Sequence, residues 1–533
     1  MLHRALAEGA IAPSDEQRPV AVRADRLAMF GDRASSAVPW RLLQPLRVLT
    51  SAASCVMSVL FEPFPLRNVV LPNRLVLPAM VTRLSGEDGF VNDDIRARYV
   101  RFARGGVGLI VLEAMAVHGA KSGPLLRISS DDFKPGLSDL RARIHDAGPS
   151  KVVPQIIHFL KISRSGWRQT VDMLSLQEID AIVEAYGAAA VRARECGLDG
   201  VELHMAHAYT LSSFLSRLNP RKDEYGGTLA NRLRLPLRVV RHVRERVGDD
   251  FMVGVRFLGD ECIRNGYTVL DAGPIAVELA RSGIDYISLS AGGKFEDARV
   301  IEGEPLYPYT GYSGDRCMPG SAYPDGANLY IPEAVRGALR SAGLETPVVA
   351  VGKIGSLALA EKVVDRGQGD LIGMARALLA DPDLPNKWRA GREDKVVRCL
   401  YGNVCKALDE SFRRVDCTLW PKKLGQAPES SDEEPPVWPP SGADLRAECK
   451  DGKVLLRWQA AKDNEAVYGY QVFRGERAAT GGALVHHASV RALSTRYEDS
   501  RVVTGGEYRY ALRPYDLAGN RGPMTDAIEV RVP

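Results

Sequence analysis

Residues 200–209 read Gly200-Val201-Glu202-Leu203-His204-Met205-Ala206-His207-Ala208-Tyr209. A short apolar run that closes on two imidazoles and a phenol reads as a buried parallel strand whose C-terminal end opens on a pocket. Seven further apolar runs lie around it, at residues 74–80, 107–114, 152–159, 251–257, 286–291, 348–352 and 370–374, with 200–207 the fourth in order. Between most of them stand stretches with apolar residues at helical spacing, such as Leu176–Glu195 and residues 231–247. Eight strand–helix units predict an α/β fold, a (β/α)8 TIM barrel with insertions.

The chain of 533 residues is too long for one ordinary domain. A net charge of +4 is small for this length and gives no ground for a nucleic-acid or anionic-membrane partner. No stretch approaches the roughly 18 uninterrupted apolar residues of a membrane helix. Eight cysteines, scattered except for a late group of three, read as reduced thiols of a cytoplasmic protein and not as a disulfide framework. Residues 1–56 have no sustained apolar period and read as a disordered extension, with Met57 as the functional start; their acidic residues argue against a transit peptide. The predicted barrel covers residues 57–424. Within it, residues 294–330 form a long insertion crowded with Gly, Pro and Tyr, placed to become an active-site lid.

Residues 425–442, rich in Pro, Ser and acid, read as a linker. Residues 443–533 then alternate in the manner of strands, at 453–458, 469–474, 507–514 and 527–532, with turn signals at Asp451-Gly452 and Ala518-Gly519-Asn520. This predicts a small all-β, immunoglobulin-like sandwich. It resembles a fibronectin type III module, with Trp458 as the core tryptophan and the Tyr508-Arg509-Tyr510 strand in place.

On a barrel, chemistry belongs at the C-terminal strand ends. His204 and His207 converge only where the strand gives way to loop, and two imidazole donors there suit an oxygen on which negative charge develops. A neighbouring phenol, Tyr209, suits proton donation. A lone strand-end histidine is more often a core residue. A zinc site would need a third ligand that the next strand end, which offers an arginine, does not supply.

Residues 204–209, with Phe214-Leu215, then Asn219-Pro220-Arg221-Lys222-Asp223-Glu224-Tyr225-Gly226-Gly227 and Asn231-Arg232, resemble the signature of the old yellow enzyme and 2,4-dienoyl-CoA reductase family. The similarity runs from about Leu60 to Gly425. It implies FMN in the barrel mouth, with NAD(P)H as co-substrate and a small-molecule substrate. Ala79, Met80, Val81 and Thr82 would line the flavin ring, and Ala114 and Gln155 would touch it. Arg256 would face its N1/O2 edge. Gly352-Lys353 and Ala375-Arg376 would hold the phosphate. By the same resemblance His204 and His207 bind the electron-withdrawing group of an activated C=C bond, and Tyr209 protonates the carbon opposite the hydride. His158 occupies a familiar slot, but the segment after it departs from the Ala-Gly-Arg often found there.

Cys399, Cys405 and Cys417 resemble the iron–sulfur segment of the dienoyl-CoA reductase and trimethylamine dehydrogenase branch, which needs four thiolates. Gly402 stands where one ligand would be, and no Gly-x-Gly-x-x-Gly follows a strand, so no intact cluster is expected. The leading expectation is an FMN-dependent ene-reductase working in two half-reactions. An amine dehydrogenase or demethylase of the trimethylamine type, and a scaffold protein with a relic barrel, are the alternatives. A homo-oligomer and a partner for the β-sandwich stay open.

Overall fold

The computed structural model describes residues 58–120, 123–161, 168–298, 314–420, 435–463, 467–476, 483–492, 494–516 and 520–533. The expected N-terminal extension and Met57 lie outside the described residues, as do Ala518-Gly519 and the middle of the long insertion. Eight parallel strands close a ring: β1 (Leu75–Leu77), β2 (Leu109–Ala116), β3 (Lys151–Ile157), β4 (Gly200–Met205), β5 (Met252–Asp260), β6 (Tyr286–Ala291), β7 (Val348–Val351) and β8 (Leu371–Gly373). Each predicted run overlaps one of them, with the observed strands running on to Ala116 and Asp260 and starting at Lys151 where 114, 257 and 152 were expected. Every residue of β2 and β4 is buried, as expected of strands covered by helices outside and packed side chains inside. Pairing of β8 with β1, Ile372 opposite Leu75, completes the barrel.

The helices form for local reasons as well as for burial. Leu176–Glu195 is observed with the predicted bounds because Ser175 and Glu178 make a reciprocal capping box at its start. Its Ile179, Ile182, Val183, Tyr186 and Ala190 then fall on one buried face. Leu229–Val247 begins two residues earlier than expected, where the Thr228 side chain accepts from the Asn231 N–H. A hairpin of Phe64–Leu66 and Val69–Leu71 shares one apolar cluster with Val76, Val111, Val153, Met252, Tyr286, Val349 and Leu371. It plugs the N-terminal end, so the C-terminal strand ends carry the opening.

The C-terminal region is an antiparallel sandwich of β9 (Arg446–Lys450), β10 (Lys453–Arg457), β11 (Val467–Glu476), β12 (Val485–Arg491), β13 (Arg496–Asp499), β14 (Glu507–Asp516) and β15 (Ile528–Arg531). One sheet runs β9-β10-β13 and the other β12-β11-β14-β15. Asp451 and Gly452 both take positive φ, 52° and 71°, in the two-residue turn between β9 and β10. Trp458 packs in the core with Tyr470, Tyr508, Tyr510 and Leu512. Residues 435–442, expected as linker, pack on this sandwich. Val437 bridges Lys462, and the Trp438 ring stacks 5.8 Å from that of Tyr470. Lys395 Nζ donates to Asn520 Oδ1 at 2.9 Å, tying the sandwich to the barrel. No described helix is long and apolar enough to cross a membrane.

Candidate active site

At the end of β4 the chain leaves strand geometry abruptly. His207 and Ala208 both take left-handed φ, 58° and 57°. Such conformations cost side-chain-bearing residues about 1–3 kcal/mol each and cluster at functional sites. The turn brings the two imidazoles together. His204 Nδ1 accepts from the Ala206 N–H at 3.1 Å, which leaves the proton on Nε2, 3.3 Å from His207 Nδ1. His207 Nε2–H then points at Ser290 Oγ, 2.8 Å away, with Cys317 Sγ at 3.4 Å. Burial, aided by the Arg256 and Lys294 charges, holds His204 well below the ordinary imidazole range and His207 down to about 3. Both rings are therefore neutral donors near pH 7. The Tyr209 ring lies 5.2 Å from that of His204.

These side chains face a cavity of about 960 Å³. Of the residues singled out in the sequence, Ala79, Met80, Val81, Ala114, Gln155, His204, His207, Tyr209, Arg256, Ala375 and Arg376 line it. Gly352 and Lys353 line an adjoining cavity of about 60 Å³ with Ala375 and Arg376, and Arg256 belongs to both walls. Thr82 is turned inward instead, its N–H donating to Glu113 Oε2 at 2.7 Å. His158 is also outside the cavity wall, with Nδ1 at 2.8 Å from Thr210 Oγ1.

Strand register explains the neighbours. Gln155 pairs with Glu202 across β3 and β4, and His204 with Arg256 across β4 and β5. Gln155 Nε2 donates to Glu202 Oε1 at 2.7 Å, and Tyr286 donates its hydroxyl to Glu202 Oε2 at 3.0 Å. Burial raises the Glu202 carboxyl, while Arg256 acts against that shift. In the smaller cavity, Arg376 Nη1 donates to Pro319 O at 2.8 Å and Asn403 Oδ1 at 2.6 Å, and Lys353 Nζ donates to Ser321 O and Tyr323 O. The Arg376 partners are neutral oxygens, whereas Lys353 Nζ also lies 3.6 Å from Asp325 Oδ1. Arg256 Nη1 is buried and has no hydrogen-bond partner, a costly state that a ligand's polar atom would relieve. The donor set thus fits a phosphate-bearing, polar-edged ring cofactor such as FMN.

Sequence reasoning missed Glu202, Glu113, Arg168, Lys294 and Cys317. Glu202 was legible in principle, lying two residues before His204 and so on the same strand face. Glu113 is buried and pushed up to about 7 by desolvation. Cys317 comes from the long insertion, where no pattern announces it.

Cys405 reaches the large cavity, and burial raises the thiols of Cys399 (to about 11), Cys405 and Cys417. A Cβ at Gly402 would meet nothing within 4 Å, so no side chain fills the place of the absent ligand. Among the described residues, no group of three or more His, Cys, Asp or Glu is set to hold a metal ion. Three thiols and a glycine are one donor short of the four thiolates that a four-iron cluster takes. Iron and acid-labile sulfide analysis of anaerobically purified protein is expected to return less than about one iron per chain, well below the complement of a four-thiolate site. Four irons per chain would refute this.

An NADH oxidase of Thermoanaerobacter brockii is 31% identical over 401 residues, covering 71% of this chain and 58% of its own. An NADPH dehydrogenase of Geobacillus sp. (strain WCH70) is 33% identical over 344 residues, 62% of this chain and 93% of its own. A 2-naphthoyl-CoA reductase in complex with 2-naphthoyl-CoA superposes with a TM-score of 0.60, covering 71% of this chain and 60% of that one; at 22% identity it bears on the fold alone. The chain spans about half the length of the longer curated relatives it matches. The family model described as "NADH:flavin oxidoreductase / NADH oxidase family" matches residues 59–299 and 337–395, more than half of the chain, and the chain belongs to that family.

Proposed function

We propose that the protein is an FMN-dependent NAD(P)H oxidoreductase that reduces an activated C=C bond of an enone, enoyl thioester or similar substrate. The observation that carries this reading is the convergence of His204, His207 and Tyr209 on one cavity, with the orphaned Arg256 nitrogen on the adjacent strand. When bound, FMN supplies hydride transfer at N5, first from NAD(P)H and then to the substrate. The chain's part is to bind and orient. Gly352, Lys353, Ala375 and Arg376 would take the phosphate, and Ala79, Met80, Val81, Ala114 and Gln155 would line the ring. Glu202 fixes the Gln155 amide by accepting from its Nε2. Arg256 would bring positive charge to the flavin ring. A substrate oxygen would take over the neutral imidazole N–H groups, and Tyr209 would deliver the proton to carbon.

A protonated amine would enter a cavity walled by Arg168, Lys294 and Arg256, so the amine dehydrogenase alternative has like charges against it. The two-sheet order and Trp458 core support reading residues 443–533 as a fibronectin type III-like spacer or docking module. The cysteine trio with Gly402 supports descent from the dienoyl-CoA reductase-like branch. Reduced flavin should be reoxidised anaerobically by members of a panel of enones, enoyl-CoA thioesters and nitro compounds, followed by absorbance. Protein that takes up no FMN, or reduced flavin that no member reoxidises, would sink the proposal.

A further inference from the structure

β2 is irregular just where it reaches the large cavity. Leu112 pairs with Pro154 and Met115 with Ile156, so Glu113 and Ala114 together stand against the single residue Gln155. Such a bulge re-aims side chains, and bulges are frequent beside active sites. Ala114 lines the cavity, whereas Glu113 is fully buried one residue behind it. The Glu113 N–H donates outside the sheet, to the Tyr99 hydroxyl at 2.8 Å. Glu113 Oε2 accepts from the Thr82 N–H at 2.7 Å, directly after Ala79, Met80 and Val81 of the cavity wall. Thr82 O in turn accepts from the Val415 N–H at 2.9 Å, and Val415 O from Arg98 Nη1 at 2.9 Å. Glu113 Oε1 is buried and has no hydrogen-bond partner. The carboxyl group braces the wall with one oxygen and leaves the other bare, which costs an ionised group far more than a neutral one.

We propose, resting on the FMN reading, that Glu113 is a positioning residue for the flavin and a redox-linked proton site, binding a proton when the flavin is reduced and releasing it on reoxidation. Hydride from NAD(P)H brings two electrons and one proton to the ring and leaves it negatively charged. A ring held by Ala79, Met80 and Val81 has only that layer of chain between it and Glu113. In a low-dielectric interior two negative charges so placed repel, and a solvent proton on Glu113 removes the repulsion. The new O–H bond forms at Oε1, so the bond from Thr82 to Oε2 persists. On reoxidation the hydride passes to substrate carbon, the ring loses its charge and the Glu113 proton returns to solvent. The proton that Tyr209 delivers is a separate one. The ionisable groups facing Glu113 are Arg98 and Tyr99 of the helix Asp93–Arg104, and Arg83 beyond Thr82. Burial holds Tyr99 neutral, while Arg98 pairs with Asp416 and Arg83 with Asp409, each at 2.7 Å. Burial is the largest effect on Glu113, opposed by the Thr82 hydrogen bonds and then by the two arginines, and it leaves the carboxyl at about 7. A neighbouring charge then decides its protonation near neutral pH.

The test counts protons in the full, FMN-loaded chain and does not depend on turnover. The midpoint potential of the bound flavin is measured against redox dyes from pH 6 to pH 9. A flavin reduced to its anion takes one proton per two electrons. With Glu113 the count is two wherever the carboxyl is ionised before reduction and protonated after it. Just above pH 7 the potential of the unsubstituted protein should fall with pH about twice as steeply as that of E113Q. Protonation of the ring itself would steepen both proteins alike. Glutamine keeps the size and an oxygen for the Thr82 N–H, so FMN affinity should stay within about tenfold. Equal slopes in the two proteins at every pH would overturn the inference. Should E113Q not fold, the unsubstituted protein decides by infrared difference spectra of its reduced and oxidised forms at pH 8. The carbonyl band of a carboxylic acid, shifted slightly in heavy water, should rise on reduction as a carboxylate band falls, and the absence of that pair would overturn the inference. Protein that takes up no FMN would defeat the FMN reading and this inference together, whereas a yellow protein with equal slopes defeats this inference alone.

Discussion

Tyr209→Phe is expected to slow reoxidation of the reduced flavin by an enone about 10²–10⁴-fold, while reduction of the flavin by NAD(P)H persists. That loss corresponds to about 3–5 kcal/mol of transition-state stabilisation. Phenylalanine keeps the ring that packs 5.2 Å from His204 and removes only the hydroxyl. The Lys294 ammonium over the face of the ring adds to the expectation, since a cation beside a phenol favours the negative charge that grows as the proton leaves. Stopped-flow absorbance separates the two half-reactions. The reductive one needs no proton from Tyr209, so a variant slowed in both has lost binding, not acid catalysis. An oxidative half-reaction at the original rate would place the donor elsewhere.

How much of this could be read in advance differs from element to element. Leu176–Glu195 was legible to the residue because its start is written in local chemistry, a serine followed three residues later by a glutamate. The run at residues 74–80 was overdrawn, since the strand spans only Leu75–Leu77 before the chain turns into the cavity wall. In the sandwich, β9, β12 and β13 escaped notice. β9 and β13 are short and charged, and in all three strands most side chains stay exposed or half-buried, so apolar alternation is weak.

The site shows the same division. Residues on strand ends, such as Gln155, His204 and Arg256, inherit their positions from barrel register and could be assigned once the strands were assigned. Thr82 was assigned to the flavin wall with its three predecessors, yet it is held inward by Glu113, a carboxylate whose burial no periodicity reveals. Lys294 and Cys317 arrive on loops. Their approach depends on Gly293 fitting against His207 Cα and on Asn328 holding the Arg316 carbonyl at 2.8 Å, contacts made in three dimensions alone.

Gly352→Val should yield a folded but largely colourless protein. Gly352 follows β7 at φ 127°, a conformation that side-chain-bearing residues pay about 1–3 kcal/mol to adopt. A Cβ there would lie 2.7 Å from Asn328 Cβ and 3.1 Å from Asn328 N, so residues 351–354 must shift. Those residues wall the cavity of about 60 Å³ shared with Ala375 and Arg376. Displacing two charge-assisted bonds to phosphate, at about 1.5–3 kcal/mol each, predicts a roughly 10²–10⁴-fold weaker FMN affinity. Equilibrium dialysis measures the loss, with circular dichroism to establish that the barrel persists. Riboflavin supplies the discriminating control, because it has the ring and lacks the phosphate. Its affinity should change far less than that of FMN if the clash acts at the phosphate. A comparable loss for both ligands would mean that the whole barrel mouth has moved. A yellow variant with the original FMN affinity would mean that the phosphate rests on some other part of the barrel rim.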